Sequence, residues 1–132
     1  MTDRAGRSEL HYAALAGDSE AVADLLGQGA EPDLADKAGF TPLHVAALSQ
    51  HADVARLLLA AGADVEARNS FGATPLLVAL SRVRDTDGEV VRVLLEAGAD
   101  KHAQNASGQT PLGYARLVAN YDLMRFFPDD AD

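Results

Sequence analysis

The chain contains no cysteine. Disulfides, cysteine-ligated zinc, iron–sulfur clusters and thiol nucleophiles are thereby excluded, while a reducing compartment is permitted. Aromatic residues are few, with three Tyr, four Phe and no Trp among 132 residues. Bases are also scarce, 11 Lys+Arg against 20 Asp+Glu, giving a formal charge of −9. Such a charge is repelled by nucleic-acid phosphates and by anionic membranes, so neither is expected as a partner. No apolar run approaches the ~18 residues of a spanning helix. No apolar stretch follows the charges of Met1-Thr2-Asp3-Arg4-Ala5-Gly6, so no signal peptide is expected and the predicted location is cytoplasmic. What remains is 48% hydrophobic, enough to bury a core in one small domain spanning residues 1–132.

The charge is unevenly spread. Residues 1–36 hold eight acids and two bases, residues 37–121 hold eight of each, and residues 122–132 hold four acids and Arg125. Nine arginines against two lysines, with abundant alanine, match the coding bias of a GC-rich bacterial genome.

An internal period organises the chain. Leu10, Leu43 and Leu76 are 33 residues apart, and Leu112 follows after 36. Gly29-Ala30, Gly62-Ala63 and Gly98-Ala99 repeat the same 33 and 36, as do Gly6, Gly39, Gly72 and Gly108. All three motifs slip by three residues at one place, which puts an insertion in residues 81–88, centred on 82–88.

Each unit reads as two short helices. The first opens at Thr41-Pro42, Thr74-Pro75 or Thr110-Pro111. A threonine N-cap offers its hydroxyl to free backbone N–H groups, and proline at the first helical position loses no hydrogen bond. In the first unit Ser8-Glu9 replaces Thr-Pro, and glutamate still suits a helix start. The second helix shows apolar residues at helical spacing, Val54, Leu57, Leu58 and Ala61, then Val90, Val93, Leu94 and Ala97. Gly62 and Gly98 fall where a left-handed helix end belongs. In the longer turn of the third unit, Thr86 or Asp87 is expected to cap the second helix.

Thr41-Pro42-Leu43-His44-Val45-Ala46, the 33-residue period and Gly62-Ala63-Asp64 together resemble an ankyrin repeat. The resemblance covers residues 4–128. It implies an all-α solenoid of stacked helix-turn-helix units with projecting β-turn loops. The units expected are repeat 1 over 5–35, repeat 2 over 36–68, repeat 3 over 69–104 and repeat 4 over 105–128, with a frayed acidic tail at 129–132. Asp24 and Arg116 stand in columns that are apolar elsewhere, as expected of the two capped ends of a stack.

Chemistry is sparse. His11 and His44 occupy equivalent places of adjacent repeats, too far apart to share a metal ion. The resemblance implies that this histidine ties neighbouring loops. His51 and His102 fall in a turn and a loop and are expected in solvent. No serine lies in a nucleophile frame, and the acids sit at helix starts and loop tips. Asp85 to Glu96 has a superficial calcium-loop spacing, but Val90 stands where that loop needs glycine. No catalytic residue, cofactor or metal site is expected, and the chain is not expected to be an enzyme.

The resemblance implies a protein–protein interaction module that binds through a concave face and its loop tips. Carried over column by column, the partner-binding candidates are Arg7, Lys37, Phe40, Leu48, Ser70, Phe71, Arg82, Gln109 and Leu117. Phe40 and Phe71 are the expected anchors, because aromatics ringed by polar residues dominate interface energetics. Arg68, Arg82 and Arg84 lie near that side and suit a partner's carboxylates. The acidic chain ends, in contrast, suit a basic partner. A second reading is therefore a dedicated inhibitor, of the immunity-protein kind, neutralising a basic toxin or enzyme. A monomer is expected.

Overall fold

A computed structural model describes residues 2–83, 87–118 and 122–130. Seven α-helices follow in order: α1 Glu9–Ala16, α2 Ser19–Gly27, α3 Pro42–Leu48, α4 Ala52–Ala60, α5 Pro75–Arg82, α6 Glu89–Glu96 and α7 Pro111–Leu117. A 3-10 helix over Leu123–Phe126 and a turn over Pro128–Asp130 complete the chain. Among the described residues no strand forms, only an isolated bridge between Thr2 and Ser8.

The helices pair as α1/α2, α3/α4 and α5/α6, and the pairs stack. The odd-numbered helices pack side by side as one layer, and the even-numbered ones as a second. α7 continues the first layer and is backed by the 3-10 helix, and among the described residues the last unit has no full second helix. The core lies between the layers. Leu43, Ala46, Ala47, Leu58, Leu76, Ala79 and Leu94 have no exposed surface. Small alanines in the first helices let neighbours approach closely, and the leucines fill the space between layers.

All four predicted residues, Ser8, Thr41, Thr74 and Thr110, stand at N-cap positions, but the Thr74 hydroxyl makes no capping hydrogen bond, contrary to expectation. Ser8 and Thr41 each accept from the backbone N–H three residues on, and Thr110 accepts from Gly113 N at 2.9 Å. Core positions in the second helices are Val54, Ala55 and Leu58, then Val90, Val91, Val93 and Leu94. Ala61 and Ala97, expected on the apolar stripe, are instead exposed C-caps. The chain leaves the helix there, so their side chains no longer point inward. Gly62 and Gly98 follow at φ 96° and 92°.

The insertion departs from expectation. Residues 84–86, and Thr86 with them, lie outside the described residues. The N-cap of α6 is Gly88, in the left-handed region at φ 67°. Asp87 contributes a longer contact, accepting from Glu89 N at 3.2 Å. The ring of Phe126 fills the space over Gly88 that a side chain would occupy. Arg125 and Arg92 flank that ring at 4.4 and 5.2 Å from its centre.

Within the acidic tail expected at 129–132, Asp130 is anchored, while residues 131–132 lie outside the described residues. Lys101 Nζ lies 2.5 Å from Asp130 Oδ2, and Arg116 Nη2 donates to the Asp130 carbonyl at 3.2 Å. These contacts hold the turn against the end of the stack. Among the described residues no helix is long and apolar enough to cross a membrane.

Candidate functional site

The loops between units project as tight turns and join one another. Lys37 N donates to Ala5 O at 2.8 Å, Ser70 N to Ala38 O at 2.9 Å and Ala106 N to Phe71 O at 2.9 Å. Each turn is organised by one side chain. Asp3, Asp36, Asn69 and Asn105 each accept two backbone N–H groups, two and four residues ahead. These four residues repeat at 33, 33 and 36, a column that sequence reasoning passed over. An Asx acceptor pins the turn from within, so the tip residues beside it are presented in a fixed order.

Histidines tie the tips to the helices. His11 Nε2 lies 2.8 Å from Phe40 O, and His44 Nε2 2.8 Å from Ala73 O. The other ring nitrogen of each faces its own N-cap, Ser8 or Thr41. Both ring nitrogens are thus used inside the protein, and burial pushes the His44 imidazole below its ordinary pKa. His51 is not simply solvated. Its Nε2 lies 3.1 Å from Leu15 O, and its ring packs against Gly17, tying the turn after α1 to the start of α4. His102 is exposed, as expected.

Three of the predicted contact residues meet in one place. Arg7, Phe40 and Leu48 line a cleft of about 230 Å³ between α1 and α3, together with Tyr12, Leu15 and Val45. Phe40 is half-buried, with its ring edge-on to His44 at 5.6 Å. Leu48 is half-buried as well. Gln109 lines a shallower cleft between α5 and α7 with Leu77, Val78, Ser81 and Tyr114. Lys37, Ser70 and Phe71 stand exposed on the tips, and Arg82 and Leu117 are exposed at the ends of α5 and α7. Arg68 has another use: its Nη1 donates to Gly72 O and Gln104 O, bracing two tips. Arg84 lies outside the described residues.

Tyr12 and Val45 were not among the predicted contacts. The column Tyr12, Val45, Val78 and Tyr114 carries the repeat period and lies three residues before Leu15, Leu48, Ser81 and Leu117. Positions i and i+3 share a helix face, so the two columns form one strip. Another hollow, lined by Leu10, Leu25, Ala30 and Leu34 with Glu9 and Glu31, lies at the first-unit end of the stack. None of the predicted contacts lines it.

Paired helices in two layers, with hydrogen-bonded turn tips joined from unit to unit, define a helical-repeat solenoid. The ankyrin-repeat profile matches residues 10–105 as three copies, and the chain belongs to the ankyrin repeat family. No curated protein matches the chain. Ankyrin repeats are, in general, modules that bind other proteins.

Proposed function

We propose that this chain is a non-enzymatic protein-binding module that engages its partner with the tips and the outer strip of α1, α3, α5 and α7. The carrying observation is the distribution of exposed apolar surface. Tyr12, Leu15, Phe71 and Leu117 are the large hydrophobics left 45% to 77% exposed among the described residues. Every one of them stands on a tip or on a first helix. The second layer, α2, α4 and α6, leaves none so exposed. Large apolar side chains left exposed on the tips and first helices, and not on the second layer, favour that side as the binding surface.

Within this reading Phe71, Leu15 and Leu117 are anchors, Phe40 and Leu48 line the cleft, and Arg7, Lys37, Ser70, Arg82 and Gln109 form the polar surround. The tips are rigid because the Asx turns and the histidine ties hold them, so little ordering cost falls on binding. A cytosolic setting, compatible with the cysteine-free chain, belongs to the same reading.

The test is affinity capture from the source cell, comparing the wild-type chain with Leu15→Asp/Phe71→Asp and with Glu96→Arg on the second layer. The expected result is a specific protein lost by the first variant and retained by the second. A partner retained by Leu15→Asp/Phe71→Asp and lost by Glu96→Arg would overturn the assignment of the face.

A further inference from the structure

We infer that the hollow at the first-unit end of the stack is a second docking site, for an extended basic segment of a partner that inserts one apolar side chain and sets Lys or Arg beside Glu9 and Glu31. This surface is separate from the tips and the outer strip, so it goes beyond the proposed face.

The hollow, about 310 Å³, opens between the start of α1 and the end of α2, with Leu10, Leu25, Ala30 and Leu34 as its apolar lining. In later units the same columns are covered by the unit before. Leu58 and Leu94, in the column of Leu25, have no exposed surface, whereas Leu25 is half-buried. Pro42, Pro75 and Pro111 are buried, whereas Glu9 in their column is exposed. An apolar side chain entering the hollow loses its water as it would inside the stack.

The loops follow the same rule. Asp33 Oδ1 accepts from Asp64 N at 2.8 Å, and Glu66 Oε2 accepts from Asp100 N at 2.8 Å, each carboxylate serving the unit after its own. Glu31 N is the corresponding donor of the first unit, and it has no acceptor among the described residues. A backbone carbonyl of an extended segment can take that N–H.

Charge decides the kind of segment. Glu9 and Glu31 are the charged residues that line the hollow, and neither forms an ion pair among the described residues. Glu20 and Asp24 lead to it: with Gln28, which lines the hollow, they follow one face of α2 at intervals of four.

The nearby bases do not cancel this excess. Residues 1–36 hold eight acids against Arg4 and Arg7, a net −6. Arg7 lies 3.8 Å from Asp36, and both Asp3 and Asp36 act on its charge. Glu9 shares a shallower hollow with Arg7, but Asp3 lines that one too. In the second unit Arg56 pairs with Asp53 and Glu89, Arg68 braces two tips, and Lys37 stands on a tip. The start of α1 and the end of α2 both meet the hollow, and their half-charges of opposite sign offset each other. The field at this end is therefore negative, and it attracts a basic segment. A second copy docking head to head would bring the same −6 against it, which argues against self-association there.

The test is selection of random linear dodecapeptides displayed on phage against the Leu15→Asp/Phe71→Asp variant, which disables the proposed face and leaves the hollow intact. Enriched sequences are synthesised with a fluorophore and titrated by polarisation against the wild-type chain and its variants. The expected consensus is one Leu, Met or Phe flanked by Lys or Arg. Binding should weaken tenfold or more for Glu9→Gln/Glu31→Gln, fall with added salt, and be equal in wild type and Leu15→Asp/Phe71→Asp. Both glutamates are exposed, and a circular-dichroism melt confirms that each variant folds. In a nitrogen-15 amide spectrum the Glu31 resonance should shift on binding while that of Ser70, on a tip, stays in place. A consensus without bases, affinities unmoved by Glu9→Gln/Glu31→Gln, or selection that enriches nothing overturns the site and leaves the proposed face standing. A dimer in sedimentation that Glu9→Lys/Glu31→Lys disperses would put a second copy in the hollow and overturn the basic segment.

Discussion

His44 and Ala73 join two successive repeats, with the imidazole Nε2 2.8 Å from the Ala73 carbonyl oxygen across 29 residues of sequence. The carbonyl can only accept, so Nε2 carries the proton. Nδ1 faces Thr41 N at 3.2 Å, and that N–H can only donate, so Nδ1 is bare. The network selects one neutral tautomer and leaves no ring nitrogen idle. His11 makes the same pair of contacts to Phe40 O and Ser8 N one repeat earlier.

Replacing His44 by alanine removes both contacts in a site with no exposed surface. The Ala73 carbonyl keeps its bond from Asn69 N, but the Thr41 N–H is left without an acceptor. A loss of about 1–3 kcal/mol is expected for an orphaned buried donor. Urea denaturation followed by circular dichroism measures it. A midpoint equal to wild type would show that the histidine is not a tie.

The same site sets a pH response. Burial lowers the folded-state pKa of His44, against an ordinary value of 6.5. A histidine depressed in this way binds its proton more readily when unfolded. Its contribution is therefore fully present above about pH 6.5 and is lost as pH falls toward the folded value. The denaturation midpoint should be flat from pH 8 to 7 and decline below 6.5. In His44→Gln the decline over that window should be shallower. An identical pH profile in the two proteins would remove His44 as the cause.

The third unit carries a natural lesion at the equivalent position. Leu77 stands where His44 does, and Thr74, buried at 1% exposure, has a hydroxyl with no partner. The Thr41 hydroxyl, in contrast, caps α3 by accepting from His44 N at 3.3 Å. Valine has the shape of threonine without the hydroxyl. Thr41→Val is expected to cost about 0.5–2 kcal/mol, the usual range for a lost N-cap. Thr74→Val removes only an unsatisfied polar atom, so it should be neutral or mildly stabilising. Paired melts decide the matter, and equal losses at both sites would refute the distinction.

The period made most of this architecture legible. Thr-Pro at 41, 74 and 110 located three helix starts, because cap and proline chemistry is local to the residues concerned. Three kinds of feature stayed hidden for physical reasons. His51 reaches Leu15 only because stacking brings the turn after α1 beside the start of α4, which no local pattern encodes. Tyr12 escaped because its column holds both tyrosine and valine, so it did not read as a contact column by residue type. Asp130 reads as tail in the sequence, since its partners Lys101 and Arg116 lie in the preceding loop and in α7.

Gly39 and Gly108 test whether the tips are held by their neighbours or only by their own turns. Their φ angles are nearly equal, 80° and 82°. A β-carbon on Gly39 would meet backbone atoms of the next tip, Ser70 N at 2.8 Å and Asn69 Cα at 2.9 Å. A β-carbon on Gly108 would meet nothing within 4 Å. Alanine at either position carries the left-handed backbone penalty, about 1 kcal/mol. Only Gly39→Ala must also push two tips apart, straining the Ser70 N to Ala38 O bond of 2.9 Å. Gly39→Ala is therefore expected to lose about 1–3 kcal/mol more than Gly108→Ala. Amide exchange at Ser70 should quicken in the first variant and stay at the wild-type rate in the second. Equal losses would mean that each turn stands alone and that the row of tips does not act as one rigid edge.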